Sequence, residues 1–85
     1  MNNLQLKNKT ALITGADSGI GKAIALLFAK EGANITIIYY SDDEDAEKAK
    51  KEIIALGTEC ITIKGDVNEN DFCEKAVKET VEKFG

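Results

Sequence analysis

The chain has 85 residues, 44% of them hydrophobic and 31% charged, with a formal net charge of -4. That balance describes one small globular domain, and its acidity excludes nucleic acid as a main partner, because phosphate binding needs a basic face. No apolar run has the length of a membrane span, and the polar opening Met1 to Lys9 lacks the apolar centre of a secretory signal.

Thr10-Ala11-Leu12-Ile13-Thr14 is a nearly continuous apolar run stopped by Gly15. It predicts a short strand buried on both faces. Gly15 to Gly19 reads as a loop. From Ile20 the apolar positions change to helical spacing: Ile20, Ala23, Ile24, Leu27 and Phe28 form one face of a predicted helix. Gly32 ends it, where left-handed backbone geometry is wanted.

The scheme then repeats. Ile35-Thr36-Ile37-Ile38-Tyr39 is β-branched and aromatic, which predicts a second strand. Ser41-Asp42-Asp43-Glu44 reads as a capping box, with the Ser41 hydroxyl on the Glu44 amide and the Glu44 carboxylate on the Ser41 amide. Ala46, Ala49, Ile53 and Leu56 make a narrow apolar stripe on the following helix, and Gly57 ends it. Cys60-Ile61-Thr62-Ile63-Lys64 is the third strand, followed by Gly65-Asp66-Val67. Asn68 is the expected cap of a third helix whose face is Phe72, Ala76, Val77, Thr80, Val81 and Phe84. Alternating strands and helices imply an α/β fold with a parallel sheet and right-handed crossovers. Three strands in the order 3-2-1, with helices on both faces, make one mononucleotide-binding half of a doubly wound, Rossmann-type three-layer fold.

The two cysteines, Cys60 and Cys73, have no metal-ligand spacing, and the chain has no His. They read as two free, buried thiols in a reducing cytoplasm, and no metal site is expected. The glycines between the first strand and first helix carry more chemistry. Gly15 lets the chain leave the strand in a tight turn, Gly19 lets a pyrophosphate approach the backbone, and Gly21 lets the helix pack close to the strand. The helix N-terminus then offers free amides and partial positive charge to phosphates. Gly21-Lys22 also invites comparison with the phosphate loop of nucleotide hydrolases. That motif needs Gly where Ala16 stands and Ser or Thr where Ala23 stands, so the comparison fails.

Thr14-Gly15-x-x-x-Gly19-Ile20-Gly21 resembles the fingerprint of the short-chain dehydrogenase/reductase family, and the resemblance runs from about Leu6 to Gly85. It implies an NAD(P) dinucleotide held by Gly15, Asp17, Ser18, Gly19, Ile20 and Gly21. Asp66-Val67 resembles the family's Asp-Val pair, which implies that Asp66 accepts from the adenine amino group and that Val67 packs on the ring. The residues reading for Asp66 alone is a turn or cap carboxylate. At the end of the second strand an acid selects NAD by bonding the ribose 2′-hydroxyl. Tyr39 stands there, Tyr40 stands where many NADP users carry Arg, and Ser41 could bond a hydroxyl or a phosphate. The missing acid favours NADP, with NAD use also open. Asp17-Ser18 and Tyr39-Tyr40-Ser41 resemble a bacterial glucose-dehydrogenase-like branch.

The family's catalytic Ser, Tyr and Lys lie downstream of the region that matches. Four residues after Tyr39 and Tyr40 stand Asp43 and Glu44 rather than Lys, so no catalytic residue is assigned. The resemblance therefore implies a truncated N-terminal, cofactor-binding part of an oxidoreductase, acting when complete on an alcohol, sugar or ketone and not catalytic alone. A freestanding nucleotide-binding or self-assembling module is the alternative. With no fourth strand, Thr10 to Thr14 is expected at a sheet edge, and a homo-oligomer joined there is expected.

Overall fold

A computed structural model describes residues 6–17 and 19–85. Its elements alternate as β1 (Thr10–Thr14), α1 (Gly19–Lys30), β2 (Asn34–Tyr39), α2 (Asp43–Ala55), β3 (Cys60–Lys64) and α3 (Asn70–Phe84). The strands form one parallel sheet in the order β1-β2-β3, which reads 3-2-1 from the β3 edge. Ile35 to Ile38 in β2 are all buried, because this strand has a neighbour on each side and helices above and below.

Strand residues alternate between the two faces. The pairing aligns Ala11, Ile35 and Cys60 across the sheet, and then Leu12, Thr36 and Ile61. The first row, with Ile13 and Ile37, packs against Ala25 and Ala29 of α1 and Ala49 and Ile53 of α2. The second row faces α3. There the Thr36 and Thr80 hydroxyls hydrogen-bond at 3.0 Å, and Thr80 is 2.8 Å from the Ala76 carbonyl. A hydroxyl has one proton, so Thr80 donates to the carbonyl and Thr36 donates to Thr80.

Of the predicted apolar face of α1, Phe28 packs against the core, and the other four residues point away from the sheet. Ile20 is 81% exposed and Leu27 57% exposed, with Ala23 and Ile24 also exposed, whereas Ala25 and Ala29 are buried. Small side chains, Ala25 and Ala29, are the fully buried contacts of the helix, with Leu26 and Phe28 packed partly buried beside them. α3 behaves alike: Ala76 and Thr80 are buried, Phe72 and Phe84 are half-buried, and Val77 and Val81 are exposed. On α2 the expected stripe is buried at Ala46, Ala49 and Ile53, while Leu56 is exposed at the helix end.

Both caps also differ from expectation. Asp42, not Ser41, caps α2, its carboxylate accepting from the Asp45 amide at 3.0 Å. The helix begins one turn position later than the sequence pattern suggests, which brings the carboxylate rather than the hydroxyl into reach. Glu69, not Asn68, is the cap residue of α3, and it makes no side-chain cap bond. Cys60 is buried and free, and burial pushes its thiol up to about 11. Cys73 is free and exposed, with its sulfur 3.1 Å from the Val67 carbonyl oxygen. Among the described residues, no helix is long and apolar enough to cross a membrane.

The Thr36–Thr80 pair joins β2 to α3 through two buried hydroxyls. Thr80→Val should cost about 1–3 kcal/mol in urea unfolding, because it strands the Thr36 hydroxyl without an acceptor. Replacing both threonines with Val should recover most of that loss.

Candidate functional site

In a parallel sheet all strands end at the same side, and ligands of open α/β sheets bind beyond those carboxyl ends. The ladder here extends one residue past each outer strand. The Gly15 amide donates to the Ile38 carbonyl at 2.8 Å, and the Gly65 amide donates to the Tyr39 carbonyl at 2.9 Å. These bonds hold three chain segments level around a cleft of about 470 Å³. Thr14, Gly15 and Asp17 line it after β1, Ile38, Tyr39, Tyr40 and Ser41 after β2, and Gly65 to Asn68 after β3.

The glycine turn carries two different constraints. Gly15 and Gly19 have φ of 69° and 62°, in the left-handed region that other residues rarely enter. Gly21 is needed for space instead. A Cβ there would press on the Gly15 carbonyl, 2.8 Å from its carbon and 3.2 Å from Ala16 Cα. Its absence lets α1 start directly against the end of β1. The amides of the first helical turn have no acceptor within the helix. No acidic residue occupies that turn, so its partial positive charge stays available to an anion. Gly19, Ile20 and Gly21 form this turn and lie outside the lining of the cleft. Ser18 lies outside the described residues.

At the end of β2 the Tyr39 hydroxyl donates to Asp43 Oδ1 at 2.7 Å. Lys64, paired with Tyr39 in the sheet register, brings Nζ to 3.3 Å from Asp43 Oδ2. The bond to Asp43 raises the Tyr39 pKa, with burial and the charges of Asp43, Glu47 and Asp17 adding to it. The Tyr39 and Lys64 hydrogen bonds lower the Asp43 pKa. Tyr40 and Ser41 are exposed beside the cleft, and Ser41 has no capping duty there.

After β3, Asp66 Oδ1 accepts from the Asn68 amide at 2.9 Å, so its carboxylate does form a turn. A carboxylate has further lone pairs for a ligand. Val67 is exposed on the same turn. The site residues Ile38, Gly65 and Asn68 were not legible as such in the sequence. Each directly neighbours a residue that was, and Gly65 has a packing reason of its own: a Cβ there would collide with the Phe72 ring. Among the described residues, no group of His, Cys, Asp and Glu could hold a metal ion.

The family model described as short chain dehydrogenase matches residues 9–85. General stress protein 39 of Bacillus subtilis (strain 168) is 52% identical over 81 residues, covering 95% of this chain and 28% of that protein. The uncharacterized oxidoreductase YhdF of the same organism is 51% identical over 81 residues, with the same coverage of 95% and 28%. The crystal structure of a dehydrogenase/reductase from Sinorhizobium meliloti 1021 superposes with a TM-score of 0.92 at 37% identity, over 99% of this chain and 33% of that one. The chain thus spans 28% of the length of those two curated relatives.

The clash at Gly21 gives a direct test of how α1 is seated. Gly21→Ala should destabilise the fold by about 1–3 kcal/mol in urea unfolding, since the overlap is with backbone that cannot rotate away. A neutral effect would show that α1 does not need this close approach.

Proposed function

The chain belongs to the short chain dehydrogenase family, and from that premise we propose that it is the dinucleotide-binding N-terminal part of an NAD(P)-dependent oxidoreductase. One observation carries this reading: the cleft gathers Gly15 and Asp17 of the glycine turn, the end of β2 and Asp66-Val67 at one edge of the sheet. The pyrophosphate belongs at the first turn of α1, along Gly15 to Gly21, where the helix end is free of acidic side chains. Asp66 accepts from the adenine amino group with its spare lone pairs, and exposed Val67 packs on the ring. Tyr39, Tyr40 and Ser41 surround the ribose. The bound dinucleotide supplies a hydride acceptor or donor at its nicotinamide, for an alcohol, sugar or ketone substrate of the complete enzyme.

This chain alone is proposed to be non-catalytic. The raised pKa of Tyr39, with its hydroxyl committed to Asp43, is the wrong direction for acid–base work near neutrality. Its two free thiols fit a reducing compartment, the cytoplasm.

A titration of the isotopically labelled chain with NAD or NADP should shift the amide resonances of Gly15, Gly19, Gly21, Asp66 and Val67. Shifts confined to other regions would count against the site.

The outer edge of β1 supports a further element of the proposal, a homo-oligomer. Among the described residues β1 has a strand neighbour on one side only, and exposed Leu12 continues into an apolar groove with Val77, Val81 and half-buried Phe84. A second copy pairing β1 to β1 about a two-fold axis would cover both. Sedimentation over a range of concentrations should show association, and Leu12→Lys should abolish it. A folded monomer throughout the micromolar range would exclude the pairing.

A further inference from the structure

The dinucleotide reading leaves open which cofactor the cleft takes, and the structure bears on that choice. Discrimination rests on the ribose 2′ position, where an acid beside the second strand repels the extra phosphate of NADP. Tyr39 ends that strand, so the sequence order alone places no acid there. The fold brings one behind that residue, outside the lining of the cleft itself. Asp43, in the first turn of α2, lies 2.7 Å from the Tyr39 hydroxyl, and Tyr39 lines the cleft.

We propose that Asp43 makes this cleft prefer NAD to NADP, and that Lys64 sets how strongly. The inference rests on the dinucleotide reading above and reverses the expectation of NADP drawn from the missing strand-end acid. Two independent features agree with it. The cleft lining contains the carboxylates Asp17 and Asp66 and no basic side chain. The chain also has no Arg, the residue that holds a 2′-phosphate through paired N–H donors. Lys64, level with Tyr39 in the sheet register, is engaged by Asp43 at 3.3 Å. Lys22 is engaged by Glu52 between α1 and α2. A 2′-phosphate would therefore enter a field of carboxylates with no cationic side chain in the cleft lining to balance it, whereas a 2′-hydroxyl carries no charge to be repelled.

Asp43 and Lys64 act here as positioning and charge-setting residues, and charge can be separated from mere tethering. Asp43→Asn keeps an oxygen for the Tyr39 hydroxyl but removes the negative charge. Lys64→Met removes the compensating positive charge. Both break the Asp43–Lys64 pair, so a purely structural role would move the two variants in the same direction. A charge role moves them oppositely.

The experiment is an amide titration of the 85-residue chain with NAD and, separately, NADP, at low salt, with circular dichroism confirming that each variant is folded. Both side chains are largely exposed, so neither substitution removes core packing. The expected result is NAD binding roughly threefold to tenfold tighter than NADP, a scale set by one screened charge. Asp43→Asn should bring that ratio toward one, and Lys64→Met should widen it. NADP binding as tightly as NAD, or a ratio unmoved by Asp43→Asn, overturns the inference while leaving the cleft as the dinucleotide site. If neither cofactor shifts the amides of Gly15 to Gly21, Asp66 and Val67, the site reading fails and this inference with it.

Discussion

The arrangement depends on the backbone ladder around β2. Its carbonyls at Ile38 and Tyr39 accept from Gly15 on one side and Gly65 on the other. Those two bonds lie just beyond the outer strands, where the chain is already turning away. They fix the height at which the glycine turn and the Asp66 turn leave the sheet. A cleft exists at that edge because three segments end level, and they end level because one central strand pairs with both neighbours. Burial of Ile35, Thr36, Ile37 and Ile38 anchors that strand from both faces.

The two helices beginning at this edge treat their N-terminal charge differently. α2 carries Asp43, Glu44 and Asp45 in its first turn and a carboxylate cap at Asp42. Its partial positive charge is therefore answered within the chain. α1 has no acid in its first turn, and glycines at both ends of the preceding loop leave the backbone bare. α1 thus starts with no acid in its first turn, while Asp43 of α2 bonds Tyr39 at the end of β2. Tyr39 joins the two by carrying the position of Asp43 to the wall of the cleft.

The layers are unequal in a way that matters for stability. α1 and α2 together cover one face with small residues at close range, so Ala25, Ala29 and Ala49 are fully or almost fully buried. α3 alone covers the other, where the buried hydroxyls of Thr36 and Thr80 meet beside buried Ala76. Val77 and Val81 project beyond it beside Leu12. Apolar surface is left over at the β1 edge, along the outer side of α1 at Ile20 and Leu27, and at the end of α2 at Ile54 and Leu56.

The sequence by itself determined the order and kind of the elements, the parallel sheet, and most of the cleft. Continuous β-branched runs, helical spacing and glycine stops are local signals, and the motif residues Gly15, Asp17, Tyr39, Tyr40, Ser41, Asp66 and Val67 meet in one cleft. Family membership was legible for the same reason, since the glycine spacing is a property of consecutive residues. Tertiary structure decided what depends on distance between elements. Periodicity put Ile20, Ile24 and Leu27 on the apolar face of α1, yet the close approach allowed by Gly21 gave the contact to alanines. Spacing offered Ser41 and Asn68 as caps, yet the chain's direction out of each strand presented Asp42 and Glu69. The meeting of Tyr39, Asp43 and Lys64 joins two strands and a helix, so its electrostatic consequence existed only once the sheet had set their register.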